Sequence, residues 1–141
     1  MIKLLLFDFF GVILFGGNIS NMIFNQELLQ FVKVQKNNYK TAILTNSDKL
    51  MSNKLVSAKL QPYFDQIFLA KDLEWSKQDP EIYKYIAAQF KIEPQKIFFV
   101  DDQEWNIEAA KKAGCETHLF TNNQELLAKL KTNIPNLKFI T

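Results

Sequence analysis

Five short runs of apolar residues, 3–7, 41–44, 66–69, 97–100 and 117–120, are almost continuous rather than alternating, and nothing else in the chain restricts its fold as tightly. A strand with one wet face alternates apolar and polar residues, whereas a strand covered on both faces reads as an unbroken apolar run. Between these runs lie stretches with helical spacing, 26–36, 48–60, 80–90, 104–113 and 124–130. The alternation predicts an α/β fold in which a parallel sheet of about five strands is covered by helices. Punctuation agrees with these limits. Asp79 places a capping side chain ahead of Pro80 at a first helical position, and Gly114 can close the helix before it. Asn122 can cap the last helix, with Glu125 three positions on in a capping-box arrangement.

A length of 141 residues is that of one domain, and the 13 phenylalanines supply enough large side chains to offset backbone entropy. The 17 basic and 15 acidic residues are scattered, so no basic stripe predicts a nucleic-acid partner. Cys115 is the single cysteine, which excludes an internal disulfide and a thiolate metal site and fits a reducing, cytoplasmic setting. The apolar N-terminal stretch imitates a secretion signal, but Asp8 interrupts it and no small-x-small cleavage site follows. No other apolar run has membrane-spanning length, so no membrane partner is expected.

The residues with chemistry fall where such runs end. Asp8 follows the first run, Thr45 the second, Asp101 and Asp102 the fourth, and Lys77 lies in the loop after the third. In a parallel sheet the carboxyl ends of the strands form the crevice where ligands bind, so these distant residues are expected to meet. Three carboxylates at one point repel one another unless a cation neutralises them. Oxygen ligands without His or Cys select Mg²⁺, which is commonly held by one or two carboxylates, waters and a substrate phosphate. Lys77 then balances charge on a phosphoryl group, and the Thr45 hydroxyl with neighbouring backbone amides orients its oxygens. Simpler roles exist for each alone, an aspartate as helix cap or a lysine as solvated charge; the coincidence of four sites is what favours chemistry.

With these residues in place the chain resembles the haloacid dehalogenase (HAD) superfamily over nearly its whole length, from Ile2 to about Leu130. LLLFDFFGVI is similar to its first motif, TAILTNS to its second, SKQDPEIY to its third and FFVDDQEWNIEAAKKAG to its acidic fourth. The resemblance implies a three-layer, Rossmann-like sheet with the first strand central, Mg²⁺ as cofactor, and phosphoryl transfer through an aspartyl-phosphate. It implies Asp8 as nucleophile, Thr45, Asn46 and Lys77 on the phosphate, and a metal held by Asp8, the Phe10 backbone carbonyl, Asp101 and Asp102. Within that set Asp102 is the more direct ligand, Asp101 positions it, and Asn106 fixes the loop. Gln78 stands where relatives often have proline after the lysine.

Two departures shape the functional expectation. Phe10 occupies the position where phosphatase members carry an aspartate that serves as general acid and base, and phenylalanine cannot shuttle a proton. A slow phosphatase limited to good leaving groups is expected. A catalytically degenerate binding module is the alternative. A dehalogenase attacking carbon is the third reading, since that branch has an aromatic residue near this point, although it lacks the paired acids. The second departure is size. Between Asp8 and Thr45 there is room for a helix, a strand and a flap of residues 11–24, but for no sizeable cap. An uncapped site suits a macromolecular phosphorylated substrate or closure by a second copy in a homodimer. His118 is expected to be a hydrogen-bonded core or edge residue and Cys115 a small buried hydrophobe. Trp75 and Trp105 are expected to pack over the sheet edge, and Phe15 and Phe24 lie on the flap.

Overall fold

All four side chains of β1 (Leu4–Phe7) are buried, and they point alternately to the two sides of the sheet. Leu5 and Phe7 enter one apolar cluster, Leu4 and Leu6 the other. The computed structural model describes residues 1–16, 21–47, 53–135 and 137–138. After β1 come β2 (Leu14–Phe15), β3 (Ile23–Phe24), α1 (Gln26–Gln35), β4 (Lys40–Thr45), α2 (Lys54–Leu60), β5 (Gln66–Leu69) and the single-turn α3 (Ala70–Leu73). The rest comprises α4 (Pro80–Gln89), β6 (Ile97–Asp101), α5 (Glu104–Ala113), β7 (Glu116–Leu119) and α6 (Asn123–Asn133).

The main sheet has the order β5-β4-β1-β6-β7, and every pairing in it is parallel. β1 is therefore central, as the resemblance implies. One layer packs Leu28, Leu29 and Val32 of α1 and Leu126 and Leu130 of α6 against the first cluster. The opposite layer packs Ile82, Tyr83 and Ile86 of α4 and the small face Ala109, Ala110 and Ala113 of α5 against the second. Tyr83 meets Phe99 edge to face at 5.0 Å, and Phe7 meets Phe64 at 6.2 Å. Each such fully buried side chain contributes about 1.5–3 kcal/mol by leaving water.

The expected helix ends agree with the caps. The Asp79 side chain accepts from the Glu81 N–H at 3.0 Å, Asn122 accepts from the Glu125 N–H at 2.8 Å, and Gly114 ends α5 with φ of 106°. The first part of the helix expected over 48–60 lies outside the described residues, as do residues 17–20 of the flap. Asn53 caps the part that is described by accepting from the Leu55 and Val56 N–H groups.

Both edge strands depart from expectation, and β5, paired only with β4, exposes Gln66 and half-buries Ile67 and Leu69. The run 117–120 is likewise expected to be buried on both faces, yet β7 begins at Glu116, exposes Glu116 and Leu119, and half-buries Thr117 and His118. The reason is its place at the sheet edge, where only β6 pairs with it. Phe120, which made the run look like core, has already left the strand: its N–H donates to the Asp101 carbonyl at 2.8 Å and its ring joins the first cluster. Among the described residues no helix is long and apolar enough to cross a membrane.

Candidate active site

Strand order creates the crevice. From β1 the chain proceeds to β4 and β5 on one side, and from β6 it proceeds to β7 on the other, so the reversal falls between the adjacent strands β1 and β6. Asp8 sits just past the end of β1, where its N–H donates to the Val100 carbonyl at 2.8 Å and so fixes it beside β6. Asp101 is the last residue of β6 and is fully buried. Its carboxylate accepts from the Gln103 N–H at 2.8 Å and from Asn106 Nδ2 at 3.2 Å, which turns the chain into α5. Asn106 thereby holds the loop as the resemblance implies.

Lys77 reaches the same point from the loop before α4. Its Nζ lies 2.6 Å from Asp8 Oδ1 and 2.7 Å from Asp101 Oδ2, and the residue is only 3% exposed. A solvated role for this lysine is thereby excluded. Tyr83, anchored in the core of α4, donates its hydroxyl to the Lys77 carbonyl at 2.5 Å and holds that loop against the sheet. Thr45 ends β4, is buried, and accepts from the Ser47 N–H at 3.1 Å through its hydroxyl oxygen. Asp8, Thr45, Asn46, Lys77 and Asp102 line one cleft of about 590 Å³ with Phe10 and Gly11.

Burial governs the electrostatics of the cleft. It pushes the Asp8 carboxyl up to about 7 despite the opposing pull of Lys77, with Asp101 and Asp102 adding repulsion. Asp101 is raised as well, again chiefly by burial. One carboxylate oxygen from each of Asp8, Asp101 and Asp102 lies within 4.8 Å of the others. Three acids face one lysine here, which leaves a charge deficit that a divalent cation matches. Six oxygens at about 2.1 Å from Mg²⁺ stand about 3–4 Å from one another, so small side-chain movements bring this set to one ion. The donor set fits Mg²⁺: Asp101 is engaged by Lys77, Asn106 and Gln103, while Asp8 and Asp102 line the open cleft.

Without metal this arrangement gives stability an inverse pH dependence. The unfolded chain releases the Asp8 proton near 3.8, whereas the folded form keeps it to about 7. Between those values the folded state binds more protons, so its stability falls as pH rises. Thermal melts in EDTA are expected to show this slope, and Asp8→Asn is expected to flatten it. Mg²⁺ at a hundredfold excess over its dissociation constant is expected to add about 2.7 kcal/mol. A wild-type slope equal to that of Asp8→Asn would contradict the assignment.

A model of the haloacid dehalogenase-like hydrolase family matches residues 24–114, more than half of the chain. The chain belongs to this family. Among curated relatives, a phosphorylated carbohydrates phosphatase of Thermotoga maritima is 32% identical over 92 residues, which span 64% of this chain and 42% of the relative. The (S)-2-haloacid dehalogenase 4A of Burkholderia cepacia is 31% identical over 86 residues, 60% of this chain and 37% of that one. The chain thus spans less than half the length of these curated relatives. A HAD-family enzyme of Bacteroides thetaiotaomicron, solved with magnesium and inorganic phosphate, shares the fold with a TM-score of 0.70 at 16% identity, covering 89% of this chain and 99% of that one.

The HAD-like hydrolase motifs do not account for the whole site. Gly11 was not singled out from the sequence, although a glycine just after a strand-end aspartate signals a tight turn. Its φ is +83°, and a Cβ built on it would lie 2.2 Å from Asp102 Oδ2. The bare backbone lets Asp102 lean over the first loop. Gly11→Ala is expected to turn the Asp102 carboxylate aside and to weaken Mg²⁺ binding about 10- to 100-fold, measured by calorimetry on a chain with unchanged circular dichroism. Unchanged Mg²⁺ affinity would show that Asp102 is not a ligand.

The flap of this HAD-like hydrolase is a two-stranded antiparallel hairpin, β2 with β3. Asn25 ties down its base, donating from Nδ2 to the Val12 carbonyl at 2.9 Å and exchanging hydrogen bonds of 2.8 Å with the amide of Asn123 on α6. No sequence pattern announces that pair, because it joins residues 98 positions apart. Between β1 and β4 the described residues contain only this hairpin and α1, so no sizeable cap is inserted there.

Cys115, His118, Trp75 and Trp105 lie outside the lining of the cleft. Cys115 is buried, and burial pushes its thiol up to about 12, as suits an inert hydrophobe. His118 lies on the edge strand, but its Nε2 is buried without a hydrogen-bond partner, contrary to the expected bonded state. Burial and then Lys129 lower its pKa against an opposing pull from Glu125. Trp75 packs against the second cluster and tilts onto Tyr85 at 5.5 Å, whereas Trp105 is 56% exposed on the first turn of α5 and does not pack over the edge.

Proposed function

We propose that the chain is a Mg²⁺-dependent phosphohydrolase with Asp8 as nucleophile. The observation that carries the reading is the meeting of Asp8, Asp101 and Asp102 with a buried lysine bonded to two of them. Asp8, Asp102 and the Phe10 carbonyl would hold the ion, with Asp101 fixing Lys77 and the loop behind them. When bound, Mg²⁺ supplies a Lewis acid that offsets negative charge on the phosphoryl oxygens.

An Asp8 carboxylate oxygen attacks phosphorus as the bond to the leaving oxygen breaks and its electron pair departs with that oxygen. The Lys77 ammonium, the Thr45 hydroxyl and the backbone around Asn46 hold the equatorial oxygens of the phosphoryl group. Water then attacks the phosphorus of the aspartyl-phosphate, giving inorganic phosphate and free Asp8. Phe10 lines the cleft and offers no proton to the departing oxygen, so the substrates are those whose leaving groups are stable as anions. Phosphate release from p-nitrophenyl and acetyl phosphate, assayed with Mg²⁺ and with EDTA, tests this reading. Turnover that needs Mg²⁺ supports it, and turnover indifferent to EDTA overturns it.

Carbon–halogen hydrolysis is a second reading, favoured by the 31% identity to a haloacid dehalogenase and by Phe10. The paired acids weigh against it, since Asp101 and Asp102 place negative charge beside an anionic nucleophile that gains nothing from a metal. Halide release from 2-chloropropionate in EDTA would reverse that preference. Absence of any Asp8-dependent turnover, on phosphates or haloacids, would leave a binding module.

A further inference from the structure

We propose that Phe10 and Phe15 form an apolar subsite for the leaving group, which makes the substrate class aryl phosphate monoesters; the proposal rests on the phosphohydrolase reading. The cleft divides by chemistry. Thr45, Asn46 and Lys77 lie on its phosphate side, while the rings of Phe10 and Phe15 supply a hydrocarbon wall, with the buried Leu14 behind them. The wall belongs to the first loop and the flap, which stand where a cap would otherwise provide specificity. Phe10 is half-buried, and its ring is braced edge to face on Phe9 at 5.3 Å. Phe15 is 38% exposed, and it also borders a second cleft of about 390 Å³ that shares Gly11 and Asp102 with the first. An aromatic side chain open to water on both sides of a site offers a stacking surface to a flat ligand.

Charge narrows the class further. Lys77 is the one cation among the described residues lining the cleft, and it is already bonded to Asp8 and Asp101. A leaving group with its own phosphate or carboxylate would meet no further positive side chain among the described residues of the cleft and would face Asp102. A polyhydroxylated leaving group laid on the rings of Phe10 and Phe15 would lose water without gaining hydrogen bonds from them. A neutral aromatic ring suffers neither loss. The chemistry at Phe10 selects the same class independently, because a phenolate departs with the electron pair of the broken P–O bond and takes its proton from solvent.

Calorimetry on the Mg²⁺-loaded full chain tests the subsite with two non-hydrolysable probes, phenylphosphonate and methylphosphonate. Phenylphosphonate is expected to bind about tenfold more tightly, which corresponds to one aromatic contact. Phe15→Ser, at a position exposed enough to tolerate it, is expected to bring the ratio close to one, and Phe15→Trp to restore it. A wild-type ratio near one, or a ratio untouched by Phe15→Ser, overturns the proposal. Failure of both phosphonates to bind also overturns it, and hydrolysis of acetyl phosphate then decides whether the phosphohydrolase reading falls as well.

Discussion

Replacing Asp8 with Asn is expected to lower Mg²⁺-dependent phosphate release by about 10⁴-fold or more while leaving the chain folded and, without metal, more stable. The loss follows from covalent catalysis: an amide cannot form the aspartyl-phosphate, and removal of a nucleophile that acts with its neighbours forfeits nearly all of their joint effect. The gain in stability comes from the same carboxyl group. Asp8 is buried beside Asp101 and Asp102, and its proton affinity is raised mainly by that burial. An asparagine removes the uncompensated charge yet can still accept the 2.6 Å hydrogen bond from Lys77. Function and stability thus move in opposite directions at this residue, as is common where a site keeps like charges together. Steady-state assays with melts in EDTA check both halves. Retained activity would remove Asp8 from the chemistry, and a lower melting temperature would show that its role is structural.

Installing an aspartate at Phe10 is expected to raise kcat for p-nitrophenyl phosphate, and to raise it by about 10²- to 10⁴-fold for alkyl phosphates, whose leaving groups depend most on a proton donor. Phe10 lines the cleft with Asp8, so a carboxyl group there has access to the departing oxygen. KM for aryl substrates should rise at the same time, since the substitution removes part of the apolar wall. The loss of the contact with Phe9 is expected to cost about 0.5–1.5 kcal/mol, a modest loss beside the catalytic gain. No increase in kcat on either substrate would show that the missing acid is not what limits the enzyme.

How far the sequence reveals this molecule depends on whether a feature is periodic or made by contact. β1, β4 and β6 are legible because helices cover both their faces and their central positions are apolar. The edge position of β7 is not legible, because Phe120 extends the apolar run past the strand and supplies the wrong impression of burial. The hairpin in the flap escapes for a different reason: strands of two residues have no period to detect. The candidate site follows the same division. Asp8, Thr45, Asp101 and Asp102 are found from the sequence because each sits at or next to a strand end, Lys77 because its loop returns to the same edge, and parallel topology brings those ends together. Gly11, Tyr83 and the pair Asn25–Asn123 act through what they touch: a carboxylate 2.2 Å from a missing Cβ, a carbonyl of the lysine loop, and one amide against another. Those roles appear only once the chain is folded.

In the proposed mechanism Asp8 and Asp102 share one Mg²⁺ and Asp8 carries the phosphoryl group. A crystal structure of the full chain with Mg²⁺ and beryllofluoride tests it most directly. Beryllium is expected to be bonded to a carboxylate oxygen of Asp8, with one metal ion about 2.1 Å from oxygens of both aspartates. Beryllofluoride absent from Asp8, or Mg²⁺ ligated without Asp102, would contradict it.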